Sequence, residues 1–241
     1  MKVLTIDTSD HTVVGVVDAP EQGLKGGFSV VARMESADSR HHAETLTPMV
    51  QDVMAQARVT KPEAIVAGTG PAAFTGLRAG LVTARVLARG WGIPLYGVSS
   101  LEAMVLGAVM DGFAQPGERV YPVIDARRKE LYVLAGVVEP STGNLSVQVP
   151  ASVVKPEVVE SMRRRDPGLL VAPRQDIAPL TADATIVKAE PQALVGRAWQ
   201  LLDLKDQGVD VDLGTEPQYL RRPDVQESGK AQPQGTGYKV A

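Results

Sequence analysis

The sequence predicts an α/β fold in two lobes, each a mixed sheet flanked by helices. Three observations predict it. Short runs rich in β-branched residues open the chain and give way to segments with helical periodicity. Glycine- and proline-bearing loops then separate strand-like runs from amphipathic stretches, as in βα units. After Gln115-Pro116-Gly117 a second series of strand-like runs begins, much as the first did.

The elements follow in order. Val3 to Ile6 and Thr12 to Val17 read as two strands joined by a turn of Asp, Thr and Ser residues, hence a β-hairpin. Phe28 to Met34 reads as a third strand. From His42 to Ala57 the apolar positions Leu46, Met49, Val50, Val53, Met54 and Ala57 recur at three- and four-residue steps, one face of a helix. Ala64 to Ala67 is a short buried strand. A second helix spans Leu77 to Arg89 and ends at Gly90 and Gly92, with Pro94 beyond. Tyr96 to Val98 is a strand, and Ser99 or Ser100 is placed to cap a helix from Leu101 to Val109. In the second half, Val120 to Ile124, Leu131 to Val138 and Leu145 to Val149 read as strands, and Ala193 to Leu204 as a helix. Residues 150–191 give no clear reading. The expected division is a first lobe over 1–114, a second over 115–225, and a disordered polar tail over 226–241.

Composition narrows the function. A chain of 241 residues, 44% hydrophobic and 22% charged, can bury a sizeable core. It has no cysteine, so a thiolate nucleophile, a thiolate metal site and a disulfide framework are all excluded. No signal-peptide pattern opens the chain and no apolar run approaches membrane-spanning length, so a cytoplasmic protein is expected. A formal net charge of -3 and only 4% aromatic residues do not suit an autonomous tRNA binder, which needs cations for phosphates and rings for bases.

The motifs are individually weak. Gly68-Thr69-Gly70-Pro71-Ala72-Ala73 fits G-x-G-x-x-A, but no acidic residue occurs between Glu63 and Glu102 to hold a ribose, and no P-loop is present. The loop is either a tight strand-to-helix turn or a backbone turn shaped for phosphate or a partner. His41 and His42 are adjacent and cannot share a helix face, so a metal site there is not expected. Arg78, Arg85 and Arg89 form a stripe on the second helix, either a solvated face or a contact surface.

Taken in order, several segments resemble one known family. They are Leu4-Thr5-Ile6-Asp7-Thr8-Ser9; His42-Ala43-Glu44 with Leu46 and Pro48; Gly70-Pro71 through Phe74 to Gly80; Gly97 to Ala103; Asp125 to Tyr132; and Pro217 with Tyr219-Leu220-Arg221 and Pro223-Asp224. The family is TsaB (YeaZ), the dimerisation subunit of tRNA threonylcarbamoyladenosine biosynthesis, within the actin-like ATPase (ASKHA, ribonuclease H-like) superfamily. Ala72-Ala73 departs from its usual Gly-Ser. The resemblance implies an actin-like fold and a non-catalytic subunit for modification of tRNA position 37. It implies pairing with the catalytic paralogue TsaD, a small P-loop ATPase (TsaE) as third member, a homodimer when alone, and tRNA met only through the complex.

The paralogue carries two metal-binding histidines four residues apart, where this chain has Ser100 and Met104. A hydroxyl and a thioether do not replace two imidazoles, so no catalytic residue and no metal site are expected. Partner contact is expected at His42, Leu46, Met49, Val53, Arg78, Ala79, Thr83 and Val86. A vestigial nucleotide cleft is expected at Asp7, Thr8, Ser9, Gly70 and Asp125, with no tightly bound cofactor, weak ATP or ADP binding, and nucleotide consumed by the complex. The alternative reading is an enzyme acting alone, either an actin-like nucleotide hydrolase or a glycoprotease-type metallopeptidase.

Overall fold

In the computed structural model the described residues are 1–21, 23, 27–36, 42–177 and 183–221, with the side chains of residues 42–44 also set aside. The expected tail at 226–241 lies outside them. The N-terminal meander forms as its sequence suggests: β1 (Lys2–Asp7), β2 (Thr12–Asp18) and β3 (Ser29–Ser36) pair antiparallel in series. Helix α1 (His42–Gln56) then crosses to β4 (Ala64–Gly68), which pairs parallel with β1. Helix α2 (Phe74–Trp91) crosses to β5 (Leu95–Val98), parallel to β4, giving the order β3-β2-β1-β4-β5.

Alternation along β1 sends its side chains to two different cores. Leu4 and Ile6 pack with α1 and α2, whereas Val3 joins the core under α3 (Ser100–Met110) and α5 (Pro191–Asp206). The second sheet contains β6 (Arg119–Asp125), β7 (Leu131–Val138), β8 (Leu145–Val154), β9 (Leu169–Ala172) and β10 (Thr185–Ile186) in the order β10-β9-β6-β7-β8. Its outer face holds Tyr121, Val123 and Leu170 against Val159 of α4 (Pro156–Arg165). Its inner face adds Ile124, Tyr132 and Leu134 to the central core shared with α3 and α5. Helix α3 is apolar all round because it lies between two sheets.

A break at 114/115 thus separates the sheets but not the packing. Helix α5 comes late in the chain yet packs against β1, β2, β4 and β5. After it, an extended strap runs beside β5, where the Gly97 amide donates to the Leu213 carbonyl at 2.8 Å. No described helix is long and apolar enough to cross a membrane.

Three expectations need adjusting. Ser99 occupies the N-cap of α3 without capping it: its hydroxyl points to the Gly70 carbonyl at 3.4 Å, while the Ser100 hydroxyl turns to Asp7. Strand β8 continues through Pro150 to Val154, which an edge strand tolerates, Pro150 falling where the register with β7 shifts. Helix α2 starts at Phe74, before the expected Leu77.

Candidate functional site

Two places gather the residues singled out from sequence: the cleft where the sheets meet, and the face of α1 and α2.

The cleft is built at the end of β1. Asp7 is buried, and each carboxylate oxygen has a donor within the protein. The Ser9 amide donates to Oδ1 at 2.9 Å, and the Ser100 hydroxyl to Oδ2 at 2.5 Å. The Ser9 and Ser100 hydroxyls lie 2.6 Å apart and close the network. Burial pushes the Asp7 carboxyl above its ordinary value, against the opposing pull of the Ser100 and Ser9 hydrogen bonds. Gly68 makes room for it, since a Cβ there would stand 1.7 Å from Asp7 Oδ2. Thr8 is also committed, donating to the Gly76 carbonyl at 3.0 Å, and Gly80 lets α2 lie directly on it. Gly70 sits at φ 92, in the region only glycine takes easily, and its carbonyl accepts the Ser100 amide at 2.9 Å. The loop that fits G-x-G-x-x-A is therefore tied to the start of α3.

Asp125 closes the cleft from the second sheet. Its Oδ1 accepts the Arg127 amide at 2.8 Å. Sequence reasoning missed its other partner, Arg174, which follows β9. This guanidinium donates to Asp10 at 3.1 Å, to Asp125 at 3.4 Å and to Asp176 at 2.6 Å, and so bridges the two sheets. Beside it His11 and Lys188 contact Glu35 at 2.8 and 2.7 Å. Burial raises the Glu35 carboxyl, but hydrogen bonds from Lys188, His11 and Arg33 outweigh it and hold it at about 2. The space left between Ser9, Asp10, Ser100, Met104 and Lys188 is about 20 Å³. That admits roughly one water, whereas small-molecule pockets run from about 300 Å³ upward. Of the residues expected in the cleft, Asp7, Ser9 and Gly70 are thus tied to Ser100, Thr8 to Gly76, and Asp125 to Arg127 and Arg174.

Ser100 and Met104 are one turn apart on α3 and both buried, one in the Asp7 network and the other in the central core. A hydroxyl already spent on a carboxylate and a thioether packed among alkyl chains do not fit a divalent cation. Among the described residues, no three His, Cys, Asp or Glu side chains group as metal ligands.

The helical face is the opposite case. Leu46, Met49 and Val53 of α1, expected at a partner surface, are core residues instead. They are 0%, 6% and 0% exposed and pack on the first sheet. An amphipathic stripe satisfied by the chain's own sheet is not left for a partner. His42 opens α1, and its side chain lies outside the described ones. Helix α2 has three stripes. Leu77, Leu81, Ala84 and Ala88 face the core. Thr83, Leu87 and Trp91 line a groove of about 430 Å³ against Val50, Met54 and Val59. Val82 and Val86 stand clear of both, 51% and 64% exposed, with Ala79 half-buried nearby on the outer side. Arg78 lies on the other flank, its guanidinium 4.9 Å from the centre of the Phe74 ring. Arg85 is not a solvated arginine: it donates to Thr215 and Glu216 of the strap at 2.6 to 2.9 Å.

Fold and site define a class first: an α/β protein of two mixed sheets around shared helices, with Asp7 at the end of its first strand paired by its own serines. A family model described as TsaD: tRNA N6-adenosine threonylcarbamoyltransferase matches residues 34–187. The chain belongs to this family, and it aligns in sequence and fold with TsaB and YeaZ proteins. It is 38% identical over 133 residues to an uncharacterized protein of Mycobacterium tuberculosis, covering 54% of this chain and 56% of that one. The match thus spans little more than half of that relative. It is 34% identical over 161 residues to the Escherichia coli tRNA threonylcarbamoyladenosine biosynthesis protein TsaB, covering 66% and 64% of the two chains. A crystal structure from Pseudomonas aeruginosa, described as an uncharacterized protein with similarity to peptidase YeaZ, superimposes with a TM-score of 0.65 at 26% identity, over 91% of this chain and 99% of the other.

Proposed function

We propose that this chain is a non-catalytic subunit in the formation of threonylcarbamoyladenosine at position 37 of tRNA, pairing with and activating a TsaD-type catalytic paralogue. One observation carries the reading. Where the resemblance places the paralogue's paired metal-binding histidines, this chain has Ser100, already spent on Asp7 and Ser9, and the buried Met104. A chain whose cleft is satisfied by its own groups acts through its surface.

The surface proposed for the partner is the outer side of α2 and its groove with α1. Val86, Val82, Ala79 and Thr83 offer an apolar ridge, and Leu87, Trp91, Met54 and Val50 line a hollow for side chains of a partner helix. Leu46, Met49 and Val53 hold that ridge from beneath. The same surface serves a homodimer when the paralogue is absent. A small P-loop ATPase of the TsaE kind joins the complex and consumes its ATP, and tRNA is met through the complex. The names of the Escherichia coli relative and of the matching family support this reading.

Light scattering on sized fractions tests it. The chain alone should run as a dimer and convert to a hetero-complex when mixed with its organism's TsaD-type protein. A chain that ignores that protein at micromolar concentration contradicts the proposal.

A further inference from the structure

The flank of α2 facing away from the groove has a recess of its own. The strap passes over it, and Phe74, Arg78, Val82, Arg85, Glu216 and Tyr219 enclose about 340 Å³. This falls within the size range of small-ligand pockets. Its walls are chemically specific. The Phe74 and Tyr219 rings pair at 4.8 Å, and Tyr219 stays 40% exposed. The Arg78 guanidinium lies over Phe74, and among the described residues no carboxylate pairs with it. Arg85 is spent on the strap and fixes its position. The recess thus has a ring at one side and, at the other, a cation that no described carboxylate pairs.

The strap extends this surface across the lobes. Two residues past Tyr219, Arg221 donates to the Ala126 carbonyl at 2.6 Å and pairs with Glu130. These two residues flank the β6–β7 turn, where Arg127, Arg128 and Lys129 are exposed, all in left-handed backbone at φ 62, 55 and 60. Along this path Arg85, Arg221 and Arg127 are paired with Glu216, Glu130 and Asp125, so Arg78 and Lys129 at its two ends carry charge that no described carboxylate pairs.

We propose that this recess binds a single unpaired nucleotide of RNA, with its base stacked on Tyr219, its phosphate on Arg78, and the neighbouring backbone led toward the basic β6–β7 turn. Every base has a face to stack, so an aromatic platform beside a cation recognises single strands without reading their sequence. The planar guanidinium over Phe74 keeps its N–H edges for phosphate oxygens. The inference goes beyond the subunit reading: the contact belongs to this chain and does not need the paralogue.

The test uses the full chain alone, with a fluorescein-labelled single-stranded heptaribonucleotide read by anisotropy at low salt. Unlabelled AMP, inorganic phosphate and a polyglutamate peptide serve as competitors. Tyr219→Ala should weaken RNA binding by about fivefold or more, and Tyr219→Phe should preserve it. Arg78→Ala should lower the slope of log affinity against log salt by about 0.7, the share of one phosphate contact on a single strand. Arg78 is exposed, so this second variant reports on the contact even if loss of Tyr219 loosens the strap. The proposal is overturned if no RNA binds at 100 micromolar chain, if both alanine variants keep wild-type affinity and salt slope, or if AMP or polyglutamate competes as well as unlabelled RNA does. Hetero-complex formation by light scattering is read separately, so either result can fail without the other.

Discussion

The inter-lobe cleft and the outer side of α2 are built on opposite terms. In the cleft Asp7, Ser9 and Ser100 satisfy one another, Thr8 is spent on Gly76, and Arg174 joins Asp10 to Asp125 across the sheets. Between Ser9, Ser100 and Met104 about 20 Å³ is left. On α2, two valines stand more than half exposed beside a groove of about 430 Å³. Single exposed apolar residues are ordinary, but an apolar ridge next to an apolar hollow is the usual form of a contact surface. The contrast teaches where to look for function in a fold better known for its cleft. Buried polar groups that are fully paired stabilise and fix one conformation, whereas the valines of the ridge are open to a partner.

Substitutions sharpen the contrast, the largest effect first. Leu46→Ala should cost about 3 kcal/mol of stability, because the residue is fully buried beneath the ridge; a urea titration measures it. Val86→Asp should leave stability within about 0.5 kcal/mol yet weaken association with the paralogue by about a hundredfold, seen in the same titration and in light scattering. If Leu46→Ala were harmless to folding and Val86→Asp harmful, core and surface would be wrongly assigned.

Asp7→Asn tests the cleft through pH. The folded Asp7 carboxyl is raised above 3.8, so the folded chain holds its proton longer than the unfolded chain does. Its contribution to stability is present at low pH and is lost as pH rises from that value through the folded one. Asparagine has no such loss, so the variant should gain on wild type in melting temperature as pH climbs above about 4. Glu35 acts in the opposite sense, contributing stability above 4.5 that is lost as pH falls toward about 2, but it is common to both proteins and cancels in the difference. Arg174→Met should cost only about 1 kcal/mol of stability, because its pairs are partly exposed. Calorimetry with ATP then shows whether removing this bridge admits a nucleotide. ATP binding by wild type as tight as by the variant would deny that Arg174 closes the cleft.

Much of the fold was legible because its elements follow local rules. The β1–β2 hairpin, α1, β4, α3, the β6–β7 pair and α5 each have the period and punctuation of their type. Residues 150–191 resisted reading for physical reasons. Helix α4 is polar and buries only Val159, β9 has four residues and β10 two, so none repeats long enough to show a period. The site was half legible. Asp7 and Ser9 meet in one network, but their partners come from afar: Ser100 lies 93 positions from Asp7, and Arg174 lies 164 from Asp10. Only the tertiary structure pairs them. The stripe of Leu46, Met49 and Val53 shows why an apolar face names no owner: periodicity reports that the face is covered, not whether the cover is the chain's own sheet.

The most direct test of surface against cleft is threonylcarbamoyladenosine formation on tRNA, reconstituted with the paralogue and compared for Asp7→Asn and Val86→Asp. Modification retained by Asp7→Asn and lost by Val86→Asp is the expected result. The reverse, a cleft variant that abolishes modification and a ridge variant that does not, would contradict the assignment of function to the helical surface.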